Sequence, residues 1–324
     1  MINYHVHRLK AQNLVQYDMM RSFQFEKPQF IDIGFRDLSC TPDRVWRLRH
    51  RNFSYCAAQG FLPYQEDRMH YMHDPANGNL SIFSIFDGHG GQFVSEYLEK
   101  HFSRRIRERL IFKSPIRKLS TNSCSGLDER YIEAIVTEVH KIDDQISMLD
   151  PYKTSYTGST LISAIFEQNR YLTVVNVGDS RAIACDKNGR VRPLSKDHKP
   201  SDTEERQRIE NAGGFIQHYG VDRVQGVLAI SRAFGDTALK RAHVLTAHPD
   251  VVRIDLVKEP LKYLIVASDG FWDVFENQEA IDYANTFLKQ NPNRWAHAAS
   301  ELVEAALARN TQDNVSVLFV RLIS

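Results

Sequence analysis

An apolar run from Leu80 to Phe86 stops abruptly at Asp87 and gives way to Gly88-His89-Gly90-Gly91. A run of that length between turn signals is the pattern of a buried strand. The glycines permit backbone angles and close approaches that a side chain would forbid. Asp87 is therefore held rigidly at the end of a buried element. A strand end capped by its aspartate would look like this, and so would a site that offers carboxylate and carbonyl oxygens to a hard cation. What separates the two is whether acids recur at other strand ends.

They do recur. Val175-Asn176-Val177-Gly178-Asp179 and Ile265-Val266-Ala267-Ser268-Asp269 are apolar runs that end in an aspartate, the second with Asp273 four residues on. Asp313-Asn314 precedes the last apolar run, and Glu66-Asp67 precedes an earlier one. Apolar flanks keep these groups from full solvation, and unpaired carboxylates there would cost several kcal/mol per charge. No lysine or arginine cluster is spaced to offset them, so divalent cations are expected. An all-oxygen donor set without paired Cys or His favours Mg²⁺ or Mn²⁺ over zinc. Two such ions sharing a carboxylate would lie roughly 3.5–4 Å apart and activate a water for in-line attack on phosphorus. His89 is then placed to protonate the leaving oxygen.

The 324 residues are long enough for one large domain or two ordinary ones, and 42% hydrophobic residues support a sizeable core. Lys and Arg number 41 against 40 Asp and Glu, which gives no basis for a nucleic-acid partner. No apolar run is long enough for membrane insertion. Four scattered cysteines, Cys40, Cys56, Cys124 and Cys185, form no CxxC pair and suit a reducing cytoplasm or nucleus. Residues 1–17 lack acids and carry His5, His7, Arg8 and Lys10, which also admits a mitochondrial presequence, though one would be richer in Arg and Ser. A monomer meets every expectation here.

Residues 1–50 show little periodicity and end in the basic run Arg44 to Arg51. They are expected to be an N-terminal extension that regulates or targets the domain at 51–324. The basic run is a solvated face or an acidic-partner site. Helical spacing appears in Gln92–Leu110, in the stripe Ile132 to Leu149, and in Asp202–Asn211, Asn277–Gln290 and Arg294–Ala308. Strands are expected at Phe53–Ala58, Ser159–Phe166, Tyr171–Val177, Arg181–Cys185, Val191–Leu194, Tyr263–Ala267 and Val315–Ile323. The link Glu167-Gln168-Asn169-Arg170 is too short for a parallel crossover, and Lys187-Asn188-Gly189 is a hairpin turn. An antiparallel sheet core flanked by helices follows, and a doubly wound fold does not.

Nine segments, in order, carry a resemblance. They are Tyr64-Gln65-Glu66-Asp67-Arg68, Phe86-Asp87-Gly88-His89-Gly90-Gly91, Thr157-Gly158-Ser159-Thr160, Asn176-Val177-Gly178-Asp179-Ser180-Arg181, Asp197-His198-Lys199-Pro200, Asn211-Ala212-Gly213-Gly214, Leu228 to Asp236, Ala267 to Asp273, and Asp313-Asn314. Over residues 53–324 the chain resembles the metal-dependent serine/threonine protein phosphatases of the protein phosphatase 2C family. The resemblance implies an α+β fold: a four-layer α-β-β-α sandwich, two antiparallel sheets flanked by helices, with metals at one end. It implies that Asp87 bridges two ions and that the Gly88 carbonyl binds one of them. Asp269 and Asp313 would hold the other, and Asp179 and Asp273 a weaker third. Glu66 and Asp67 would orient water at the metals, and His89 would be the general acid. Phosphoproteins would be the substrates, and Pro200–Val227 a flap beside the site.

One position departs from the family pattern. Many members carry a phosphate-binding arginine where this chain has Leu62, preceded by Phe61. A leucine lacks the guanidinium fork, and losing one charge-assisted contact costs about 1.5–3 kcal/mol. Arg68, Arg51 and Arg232 are the candidate replacements. The departure keeps two alternatives open: a pseudophosphatase scaffold on the same fold, and a hydrolase of small phosphoesters.

Overall fold

The computed structural model describes residues 29–113 and 124–322. The presequence-like start and residues 114–123 of the polar loop expected at 111–127 lie outside the described residues, and a helix already begins at Cys124. Two antiparallel sheets face each other. The first runs Ile31–Gly34, Arg68–Asp74, Leu80–Phe86, Leu161–Glu167, Tyr171–Val177 and Asp250–Asp255. The second runs Val191–Pro193, Arg181–Asp186, Leu261–Ala267, Val315–Arg321, Phe53–Ala58, Val45–Arg49 and Ser39–Cys40.

The strand Leu80–Phe86 shows why its sequence is almost unbroken in hydrophobicity. Phe83 and Ile85 point into the core between the sheets, while Leu80, Ile82 and Phe86 point the other way, under helices. Side chains alternate along a strand, so a strand covered on both faces needs apolar residues at every position. Between the sheets Phe83 stacks on Tyr71 at 4.6 Å, and Phe53 of the second sheet closes on Tyr71 at 4.7 Å. Outside the first sheet, helices Phe93–Glu108 and Cys124–Ser147 bury Val94, Leu98, Phe102, Ile135 and Val139. Outside the second, helices Asn277–Gln290 and Ala298–Ala308 bury Ile281, Ala284, Leu302 and Val303. The result is the four-layer sandwich expected from the sequence.

The differences have local causes. Ser159 leaves the large sheet because Gly158–Ser159 pairs with Gly88–His89 and Phe234–Gly235 in a small third sheet. The last helix starts at Ala298, after a 3₁₀ turn at Trp295–His297. The segment Asp250-Val251-Val252-Arg253-Ile254-Asp255 carries too much charge to read as a strand, yet it forms an edge of the first sheet. Three further strands lie ahead of residue 50, within the segment expected to be an extension: Ile31–Gly34, Ser39–Cys40 and Val45–Arg49. Ile31–Gly34 pairs with Arg68–Asp74, and Val45–Arg49, inside the basic run, pairs with Phe53–Ala58. The segment read as a flap folds as a helix, Thr203–Asn211, and a hairpin, Ile216–Tyr219 with Val221–Val224. Its Ile209 and Val224 share a small core with Ile230 and Val244 beyond it.

Because Phe83 is buried among aromatics from both sheets, Phe83→Ala should cost about 3–5 kcal/mol of stability. Urea unfolding checks this, and an unchanged midpoint would contradict the two-sheet core.

Candidate metal centre

Strand register gathers the acids. Arg68 pairs with Phe86, so Asp67 enters and Asp87 leaves adjacent strands at the same sheet end. Arg181 pairs with Ala267, which does the same for Asp179 and Asp269 in the other sheet. Gly178, Asp179 and Ser180 are the crossing between the sheets, linking Val177 of the first to Arg181 of the second. Asp87, Asp179 and Asp269 consequently each present a carboxylate oxygen with all three within 4.8 Å of one another.

Backbone and hydroxyl contacts fix these positions. The Asp87 N–H donates to Thr160 Oγ1 at 3.2 Å, and the Thr160 N–H donates to the Asp87 carbonyl at 2.8 Å. Asp67 is buried and accepts from Ser268 Oγ at 2.9 Å. The Glu66 N–H donates to Asn314 Oδ1 at 2.8 Å, which ties the Glu66-Asp67 pair to Asp313-Asn314. A Cβ at Gly88 would meet the Glu66 carbonyl and Ser95 Oγ at 2.7 Å each, so only glycine lets the chain pass so close.

Electrostatics follow from the crowding. Burial, then Asp269 and the neighbouring acids, push the Asp87 carboxyl well above its ordinary range; burial and Asp179 do the same to Asp269. Burial and Asp313 push Asp67 up to about 7. Asp313 and Asp273, at the rim, are raised by partial burial and by Asp179. Among the described residues no histidine or cysteine shares the trio, and a compact all-carboxylate set held this way fits a hard divalent cation.

One expectation needs correction. A cation does reach the cluster from the protein itself: Lys199 ion-pairs with Asp179. Burial works against its charge, yet Asp179 raises Lys199 to about 12. A single lysine leaves most of the acid charge uncompensated.

His89 lies beside the trio, and its Nε2 is 2.7 Å from Asp236 Oδ2. Burial opposes protonation of the ring, but the Asp236 carboxylate raises it above the ordinary value. Gly158 exists for this pair, since a Cβ there would collide with both Asp236 and His89. Asp236 itself holds a left-handed backbone with φ 45°, a conformation that is uncommon outside glycine and clusters at functional sites. Asp236 and Lys199 carry no role that spacing reveals, although both lie inside family-like segments, Leu228 to Asp236 and Asp197 to Pro200.

Two of the three candidate arginines are engaged elsewhere. Arg232 is bound by Glu205 at 2.8 Å and Asp250 at 3.0 Å. Arg68 is buried and donates to the Gln65 and Asp67 carbonyls, to Gln92 and to Glu96. Arg51 is an exposed turn residue. Leu62 sits in a loop where its carbonyl accepts from Gln59 Nε2 at 2.6 Å.

The protein phosphatase 2C family profile matches residues 51–315. The chain is 37% identical over 291 residues to protein phosphatase 1L of Bos taurus, covering 89% of this chain and 77% of that one. It is also 37% identical over 271 residues to probable protein phosphatase 2C 55 of Oryza sativa subsp. japonica, covering 83% and 65% respectively. In fold it is similar to a serine-threonine phosphatase 2C crystal structure from Toxoplasma gondii, with TM-score 0.71, 24% identity, and 86% and 99% of the chains covered. The fold, the family profile and the named relatives together define a protein phosphatase. The chain belongs to the protein phosphatase 2C family.

Two outcomes follow. If the trio holds divalent ions only in the folded state, Mn²⁺ at a hundredfold excess over its Kd should stabilise the protein by about 2.7 kcal/mol, read by thermal unfolding. Separately, burial would raise the Glu205 carboxyl, but bonds from Arg232 and Arg208 hold it at about 2 against an ordinary 4.5. A depressed folded value gives stability that is present above the unfolded pKa and lost as pH falls through the folded one. The Glu205 contribution, of order 3 kcal/mol, should therefore fade between pH 4.5 and about 2. Urea titrations across that window should show Glu205→Gln losing the corresponding pH slope.

Proposed function

We propose that this protein hydrolyses phosphoserine and phosphothreonine in phosphoproteins, with Mg²⁺ or Mn²⁺ at the strand-end acids. The observation that carries the reading is the meeting of Asp87, Asp179 and Asp269 within 4.8 Å in a family of metal-dependent phosphatases. Asp87 and the Gly88 carbonyl would hold one ion, and Asp87 with Asp269 and Asp313 would hold a second. Asp179 and Asp273 would share a weaker third. When bound, the ions offset the acid charge and make water nucleophilic at neutral pH.

The rest is done by the chain. Glu66 accepts from the Gly91 N–H, and Asp67 is fixed by Ser268, so both carboxylates are held to orient the attacking water. Asp236 engages His89 Nε2 and favours the imidazolium, which leaves Nδ1 to hand a proton to the departing seryl or threonyl oxygen. A monomer in the cytoplasm or nucleus suits the reading, and no helix among the described residues is long and apolar enough to cross a membrane. Leu62 supports the second reading, a scaffold that binds phosphoproteins without turning them over.

Phosphate release from a phosphothreonine peptide should require Mn²⁺ or Mg²⁺, stop with chelator, and collapse in Asp87→Asn. Turnover that persists in metal-free buffer would sink the reading. His89→Ala should lower kcat roughly 10²–10⁴-fold. Leu62→Arg should raise kcat/KM about ten- to a hundredfold by restoring one charge-assisted contact. Metal-replete wild type with no turnover on several phosphopeptides would favour the scaffold.

A further inference from the structure

Ahead of the family-matching residues, the chain lays the strand Ile31–Gly34 and the 3₁₀ turn Phe35–Asp37 beside Arg68. Arg68 is 6% exposed, an expensive place for a guanidinium unless every contact counts. Its Nη1 donates to the carbonyls of Gln65 and Asp67, both at 2.8 Å. Those two carbonyls bracket the Glu66-Asp67 pair. Its Nη2 donates to Gln92 Oε1 at 2.8 Å and Glu96 Oε1 at 3.1 Å, and its Nε faces Glu99 Oε2 at 3.8 Å.

The same two glutamates are gripped from the other side by the N-terminal segment. Arg36 Nη2 lies 2.6 Å from Glu96 Oε2. The Glu99 carboxylate accepts from the backbone N–H groups of Arg36 and Phe35, and a Cβ at Gly34 would collide with it. The Phe35 ring lies 5.2 Å from the Arg68 guanidinium, which completes its enclosure. A continuous chain of contacts therefore runs from Gly34–Arg36 through Glu96 and Glu99 to Arg68, and from Arg68 to the backbone of the water-orienting acids.

We propose that Arg68 is a positioning residue for the metal centre and that the N-terminal strap Gly34–Arg36 acts through it, so that docking of the strap sets metal affinity. The inference rests on the reading of the aspartates as a metal centre. Arg68 touches none of the Asp87, Asp179 and Asp269 carboxylates in this network; it acts by holding two peptide carbonyls, a task for a fork with fixed geometry that a lysine ammonium cannot copy. Outer contacts of this kind orient the groups around a metal, and losing them typically weakens metal binding about 10–100-fold. Any partner or modification that lifts the strap would loosen the metal centre from a distance.

The test is direct Mn²⁺ binding to the full chain stripped of metal, followed by titration calorimetry, for wild type, Arg68→Lys, Arg36→Ala and the double variant. Arg68→Lys should weaken Mn²⁺ binding about tenfold or more and raise the Mn²⁺ needed for half-maximal turnover, while KM for phosphopeptide stays unchanged at saturating metal. Arg36→Ala, at an exposed side chain that the fold tolerates, should weaken binding less. The double variant should lose less than the sum of the two on a logarithmic scale, because both act through one contact chain. Arg68→Lys that binds Mn²⁺ as tightly as wild type overturns the clamp, and additive variants overturn the strap's part in it. Should Arg68→Lys fail to fold, Arg36→Ala with wild-type affinity overturns the strap. Wild type that takes up no Mn²⁺ overturns the metal-centre reading itself, a separate result from either.

Discussion

Repulsion among carboxylates is the constraint on which this structure turns. Antiparallel register brings Asp87, Asp179 and Asp269 within 4.8 Å, and the same strands that deliver them are buried on both faces. Among the described residues Lys199, with His89 beside Asp179, offsets part of the repulsion, and this end of the sandwich still opposes folding unless cations bind. The stability that tolerates it comes from elsewhere. The apolar layer between the sheets and the two helical layers outside them supply a core large enough to carry a strained end. In that sense the thickness of the sandwich is a condition of the site.

Asp179 shows how closely the acids are specified. It lies at the crossing from one sheet to the other, and His198 grips that crossing twice: Nδ1 accepts from the Gly178 N–H and the His198 N–H donates to the Gly178 carbonyl, both at 3.0 Å. Arg181, just beyond, is locked to Asp197 by two hydrogen bonds of 2.9 and 2.7 Å. The segment 197–199 thus fixes the crossing from both sides and supplies Lys199 to its carboxylate. A cation that used Asp179 would share it with that ammonium.

Much of this was legible in the chain. The strands Phe53–Ala58, Leu80–Phe86 and Tyr171–Val177 are continuous apolar runs between turn residues, and they form with those bounds. The acids were legible for the same reason, because a carboxylate that ends such a run has no place in water. What escaped detection was polar or depended on distant partners. Asp250–Asp255 is a charged edge strand whose periodicity is hidden by Arg253, which points at Glu167 and Asp128. The strands before residue 50 are short, and Arg47 and Arg49 interrupt the apolar pattern of one of them. The His89–Asp236 pair joins residues 147 apart, a distance over which no spacing rule speaks. The strap on Arg68 was invisible likewise, since Phe35 and Arg36 have no pattern of their own.

Leu62 can be weighed in the same terms. Its loop is not loose: Asn314 Nδ2 donates to the Gln59 and Tyr64 carbonyls at 2.9 and 3.0 Å, and Oδ1 of the same residue accepts from Glu66. The loop, Asp313-Asn314 and the Glu66-Asp67 pair are therefore one bonded unit. The bonds that hold this frame are made by backbone groups and by Asn314, so a leucine at position 62 leaves the frame intact. Under the proposed function the acids would keep their geometry and the cost of Leu62 would fall on affinity for the phosphate. Chemistry and substrate capture would then rest on separate parts of the same loop.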